Sequence, residues 1–200
     1  MGGTVVSDKM EVNGKTVEFL FNLIADGEVF VNRQYQRKLV WNLDENRLFI
    51  DSLLNRYPVP SIILAEYEEE GDDGLDDHYE IIDGLQRLNA IALFMRGEFS
   101  VNVDGVELYY DQMHSKGRAG LVLSGKIVQP DLLLSEKQCE RFRYAEIPVI
   151  VVRQKNDRQM KIEMIFNRIN SSGRKLSAHD IRQANNLGKF PDLVRRVATE

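Results

Sequence analysis

Between Glu80 and Met95 the apolar pattern changes period at a single point. Ile81 and Ile82 are consecutive β-branched residues of the kind that fill a buried strand. Leu88, Ile91, Ala92 and Met95 then recur at i, i+3, i+4 and i+7, the stripe of an amphipathic helix. Only Asp83 and Gly84 separate the two patterns, so the chain must pass from strand to helix within two residues. Glycine permits the tight turn or close backbone approach that such a junction demands. The spacing predicts a helix over 85–96 with Gly97 as its stop. Core packing alone does not call for Gln86 and Arg87 in the first turn of that helix.

The rest of the chain surrounds this junction with short elements. "KTVEFLFNLI" and "GEVFVN" read as strands around an Asp26-Gly27 turn, followed by an extended connector, "VNRQYQRKLVW". A helix follows, with Asn42 or Asp44 as N-cap and Phe49, Ile50, Leu53 and Leu54 as its apolar face, ended by Pro58 and Pro60. "SIILAEY" and "HYEIID" are predicted strands, and the acidic segment between them reads as an exposed loop. "EFSVNVDGVELYY" has the pattern of a hairpin turning at Asp104-Gly105. Residues 111–138 are mixed, and "YAEIPVIVVR" is a strand apolar enough to be central. Three helices are expected later: one with the stripe Ile162, Ile165, Phe166 and Ile169, one capped by Ser177 with Asp180 three residues on, and one opened by Pro191. Strands and helices alternate without a regular βαβ rhythm, which gives an α+β class. The expected division is an α+β core over 1–155 and a helical extension over 156–200 that continues into a longer chain.

Composition narrows the function classes. With 26 basic against 31 acidic residues, the net charge of −5 argues against a general nucleic-acid coat while leaving room for a local basic site. The single cysteine, Cys139, excludes an internal disulfide framework, and with no neighbouring histidine in sequence it reads as a reduced, partly buried thiol. No apolar run approaches the ~20 residues of a membrane span. The start "MGGTVVSDKM" has neither the basic end nor the apolar middle of a signal peptide. A cytoplasmic protein without a membrane partner is the expectation. The acidic run Glu66–Asp77 reads as a solvated loop rather than a metal site, and no metal-ligating set is assigned.

Three polar clusters can carry chemistry. At the first, a strand runs through Asp83-Gly84 onto helix amides that have no intrahelical partners, a geometry suited to an anion. Arg87 adds a forked, permanently charged donor set, and Gln86 can donate to a phosphate oxygen or position a water. Asp83 can orient Arg87, hold a metal or cap the helix; alternatively it is only an N-cap and Arg87 only a surface charge. The second cluster sets Tyr35, Gln36, Arg37 and Trp41 in a basic, aromatic connector able to stack a base and neutralise phosphate, or simply anchored as a loop by one tryptophan. In the third, Asn167, Arg168 and Asn170 close a helix before Ser171, Ser172 and Gly173, a small polar loop that serves a ligand or links two helices.

In this order the clusters resemble the N-terminal domain of GmrSD-type, type IV restriction enzymes, a family placed in the ParB/sulfiredoxin-like superfamily. The resemblance rests on Tyr35-Gln36-Arg37 with Trp41, on Asp51 to Pro60, on Ile82 to Arg87, on Phe166 to Asn170 and on Leu176-Ser177, and extends over about 30–185. It implies a ParB-like mixed sheet with packed helices and a bound nucleoside triphosphate, with Mg2+ as its companion ion. It also implies coupling of hydrolysis to restriction of foreign DNA, with DNA as the partner of the full-length protein and homo-oligomers an open alternative. On this resemblance Asp83, Gln86 and Arg87 are the catalytic candidates. Gly84, Tyr35, Gln36, Arg37, Trp41, Asn167, Arg168, Asn170, Ser171, Ser172 and Gly173 are the nucleotide-binding ones. Leu85 departs from the family's Asp-Gly-Gln-Gln-Arg motif, and Phe166-Asn167 lacks the acid of the ParB Glu-Asn pair. A DNA-binding module without turnover is the alternative. Neither reading places a nuclease centre here: His78, His114 and His179 are scattered.

Overall fold

The computed structural model of the protein describes residues 10–31, 41–71 and 74–153. Its centre is a five-stranded mixed sheet in the order β1-β7-β3-β4-β2. β1 (Met10–Thr16) is antiparallel to β7 (Glu146–Arg153), β7 is parallel to β3 (Ile62–Gly71), β3 is antiparallel to β4 (Gly74–Asp83), and β4 is parallel to β2 (Val29–Phe30). The helices α1 (Val17–Ala25), α2 (Leu43–Leu54), α3 (Leu85–Met95) and α5 (Glu136–Arg143) pack against one another beside the sheet, and α4 (Ala119–Leu123) lies outside with no buried residue. β5 (Val101–Val103) and β6 (Val106–Leu108) form a separate hairpin. The class is α+β, as the irregular alternation predicts.

Several expectations hold in detail. Asn42 caps α2 in a reciprocal capping box: its Oδ1 accepts from the Glu45 N–H at 3.0 Å, and its own N–H donates to Glu45 Oε2 at 2.7 Å. The α3 stripe of Leu88, Ile91, Ala92 and Met95 is fully buried, and Gly97 stops the helix at φ 70°. The β5–β6 hairpin turns at Asp104 and Gly105, both at positive φ, the backbone of the primed turns whose twist matches the strands.

Others need correction. "KTVEFLFNLI" is not a strand. Thr16 ends β1 and caps α1, accepting from the Phe19 N–H, and Val17, Leu20, Phe21 and Ile24 lie buried on one helical face. Its β-branched and aromatic content favours a strand, but the i, i+3, i+4, i+7 stripe meets the core only as a helix. β1, the edge strand, was not anticipated. The acidic segment is not a loop on the described residues either: β3 and β4 stay paired out to Gly71 and Gly74. Cross-strand pairing satisfies the backbone there whatever the side-chain charge. Cys139 is completely buried rather than partly so. The three helices expected after residue 156, and the division there, lie outside the described residues.

Aromatics join α3 and α5 to the segments flanking the β5–β6 hairpin. Phe94 of α3 meets Phe99, Tyr110 and Phe142 at ring-centroid distances of 5.4, 5.8 and 5.2 Å, and the last two of these contacts are edge-to-face. Such pairs add to area burial. Phe94→Ala should cost about 3–5 kcal/mol, because a void opens among three rings that cannot collapse together. Urea denaturation of the variant checks this.

Candidate functional site

The strand-to-helix junction has the geometry its sequence demands. A register shift between Ile63 and Leu64 puts Ile63 opposite Asp83 and Leu64 opposite Ile81, so β4 carries one extra residue, Ile82. This bulge ends the strand at Asp83. Gly84 then takes φ 105° and starts α3 without any side-chain cap. A Cβ at Gly84 would lie 2.9 Å from Ile62 Cγ1, so glycine is required twice, by its backbone angle and by the close approach of β3.

Arg87 reaches back over the junction. Its Nη2 donates to Asp83 Oδ2 at 2.7 Å and to the Ser61 carbonyl at 3.1 Å. The guanidinium side chain is 12% exposed, whereas the Asp83 carboxylate is 48% exposed. Of the alternatives for Asp83, the structure therefore shows the orienting one: it holds Arg87 and does not cap the helix. Arg87 Nε is buried without a hydrogen-bond partner. An unmet buried donor of this kind costs free energy and is normally satisfied by a water or a ligand oxygen.

Gln86 is fixed from the other side. Its Oε1 accepts from the Trp41 backbone N–H at 3.2 Å, while the half-buried Trp41 ring packs on Phe49 at 5.5 Å. The end of the connector and the start of α2 are thus fastened to the first turn of α3. Asp83, Gly84, Gln86, Arg87 and Trp41 form one neighbourhood. Tyr35, Gln36, Arg37, Asn167, Arg168, Asn170, Ser171, Ser172 and Gly173 lie outside the described residues. Sequence reasoning misses Ser61 and Ile62, because a carbonyl acceptor and a packing contact leave no residue-type signature.

What the described residues offer a ligand is an uncapped helix start beside a buried cation with an unmet N–H. Those features suit an anionic oxygen. Among the described residues no cluster of three His, Cys, Asp or Glu side chains forms a metal site. No helix among them is long and apolar enough to cross a membrane.

The match to a family model decides the lineage: that of the GmrSD restriction endonuclease N-terminal domain fits residues 17–187. The chain belongs to that family. It is accordingly a module of a restriction, phage-defence protein. A comparison with the curated proteins finds no match. The matched span contains the Asp83–Arg87 junction, the Trp41 contact and all the residues of the second and third polar clusters.

Cys139 stands apart from this site. Burial pushes its thiol up from 9.0 to about 11, away from the thiolate that nucleophilic chemistry needs. The sign for stability follows: the folded state holds the proton more tightly than the unfolded chain. This contribution is complete below pH 9 and is lost as pH rises towards 11. Burial also raises Tyr110, with the same sign at higher pH. Cys139→Ala should flatten, without abolishing, the fall in melting temperature between pH 9 and 11. A second prediction concerns the turn: Gly84→Ala should lower stability by about 1–3 kcal/mol through strain at positive φ and the clash with Ile62. Denaturant titration checks it.

Proposed function

We propose that this GmrSD-family domain binds a nucleoside triphosphate at the Asp83–Arg87 junction as the regulatory module of its restriction protein. The observation that supports this most is the buried Arg87 guanidinium, aimed by Asp83 beside an uncapped helix start and left with one unmet N–H. A phosphate oxygen would meet both the helix dipole and the guanidinium in a partly desolvated place, where charge-assisted bonds gain strength. Asp83 would keep the guanidinium oriented, and Mg2+ would arrive on the triphosphate's own oxygens and screen that carboxylate from them. Gly84 lets the backbone come close. Tyr35, Gln36, Arg37 and Trp41 would contribute from the connector, and Asn167, Arg168, Asn170, Ser171, Ser172 and Gly173 from the later polar loop.

Turnover makes a separate demand. Hydrolysis would use Gln86 to place the attacking water and Arg87 to stabilise the charge that develops on the phosphoryl group. The Trp41 N–H already fixes the orientation of the Gln86 amide, the preorganisation such a role needs. Leu85 stands where the family motif has a glutamine, so Gln86 is the one glutamine of the motif left to place the water.

Arg87→Ala should weaken nucleoside triphosphate binding about 10- to 100-fold, from the loss of a charge-assisted contact of about 1.5–3 kcal/mol. Isothermal titration against ATP and GTP reads this, with denaturant melts as the check on folding. Unchanged affinity in a folded variant sinks the assignment. Gln86→Ala should lower phosphate release at least about tenfold with a smaller change in affinity. If the junction instead grips DNA, duplex binding will depend on Arg87 and fall steeply with salt, and no nucleotide will compete.

A further inference from the structure

The sheet has two edges, and they differ in what they leave open. β2 is two residues long, too short to receive another strand. β1 forms the other edge with seven residues, in unbroken register with β7. One side of β1 therefore presents backbone N–H and C=O groups that no described strand meets. The middle of the strand is open: Val12 is 64% exposed, and Asn13 and Gly14 are exposed beside it.

Side chains along β1 alternate between the two faces. Glu11, Asn13 and Lys15 align with the buried Val151, Val149 and Ile147, on the face that joins the helices in the core. Val12 and Gly14 align with Ile150 and Pro148 on the other face. Lys15 lies over the Phe19 ring at 4.6 Å and makes no ion pair among the described residues.

The order of these residues selects the occupant. About Asn13 the strand is complementary to itself when reversed, with an acid two residues before and a base two residues after. Antiparallel pairing of two copies of β1, with Asn13 on the two-fold axis, sets Glu11 opposite the partner's Lys15 and Lys15 opposite the partner's Glu11. Opposite charges facing across an antiparallel pair stabilise it, and like charges there destabilise it. On the other face the exposed Val12 meets the bare backbone of the partner's Gly14. Within the chain only the Glu146 side chain comes near position 14, its Oε2 2.9 Å from where a Cβ would stand. A glycine inside a strand without a bulge suits the close approach of another backbone.

The acidic hairpin favours the same orientation. Glu66 aligns with Arg153, one step past the Val152–Met10 pair, so the acidic end of β3 lies beyond the Met10 end of β1. Antiparallel pairing carries the two hairpins to opposite ends of the joined sheet. In-register parallel pairing would bring them to the same end and set Glu11 against Glu11 of the partner subunit.

We propose that two copies of this chain join through their β1 edges, antiparallel about Asn13, into one continuous sheet. The charges that fit a second copy also deter an unrelated strand, a usual protection of such edges. This pairing does not rest on nucleotide binding at the Arg87 junction.

Sedimentation of the full chain over a range of concentrations tests it. Wild type should form a dimer that dissociates on dilution. Glu11→Lys and Lys15→Glu should each weaken self-association about tenfold or more, because each turns both facing pairs into like charges. An equimolar mixture of the two single variants should associate about as tightly as wild type, since every facing pair is again opposite in sign. The double variant Glu11→Lys/Lys15→Glu should do the same. Recovery on mixing separates strand pairing from misfolding. As a second readout, Asn13→Cys should give a disulfide-linked dimer under mild oxidation and Val12→Cys should not, because position 13 faces itself and Cys139 is buried. A monomeric wild type, single variants that dimerise like wild type, a mixture that stays monomeric, or cross-linking at position 12 rather than 13 would each overturn the proposal.

Discussion

The contact between Gly84 and Ile62 is the constraint on which the site depends. β3 and α3 approach so closely there that no side chain fits between them. Because of that approach, Arg87 on the first turn of α3 can reach the Ser61 carbonyl just before β3 while still meeting Asp83 at the end of β4. One guanidinium thus ties together the start of β3, the end of β4 and the start of α3. A bulkier residue at position 84 would push the helix off the sheet and separate all three.

Helix α2 carries this local geometry across the domain. At its N-terminal end the Trp41 N–H reaches Gln86 and the Asn42 capping box closes the helix; at its C-terminal end Arg56 reaches the Tyr144 carbonyl just before β7. Its buried face, with Phe49, Ile50, Leu53 and Leu54, fixes the distance between the two ends. A rigid helix with a polar fastening at each terminus places two surfaces with different chemistry on one body. A compact cation sits over a helix start at one, and broad aromatic faces lie in an open cleft at the other.

The sequence revealed the parts of this arrangement governed by local rules. The Ile81–Met95 change of period, the Asn42 cap, the α3 stripe and the Asp104-Gly105 hairpin each need only neighbouring residues, and each was legible. The α1 segment was not, because Val17, Phe19, Phe21 and Ile24 satisfy strand composition while their burial follows the helical period, and only the completed core chooses between them. At the candidate site, Asp83, Gly84, Gln86 and Arg87 were visible as residue types out of place for a core. Their partners were not, since Ser61 contributes a backbone carbonyl, Trp41 a backbone N–H and Ile62 a methylene. The cleft lined by Tyr57 and Tyr144 was hidden for another reason: these walls are 87 residues apart in sequence, joined by Arg56 Nη1 donating to the Tyr144 carbonyl and by the pairing of β3 with β7.

The Asp83–Arg87 pair also bears on why an anion site would include an acid. A guanidinium this buried loses much of its hydration, and leaving it unpaired in the empty site would be costly. Asp83 offsets that cost while keeping its carboxylate half in water, where solvent screens it. Nη2 is committed to this structural duty and to Ser61, yet Nε still lacks an oxygen. The site is therefore held in shape without being fully satisfied. The phosphate contact we propose would leave the pair intact and add an acceptor at Nε.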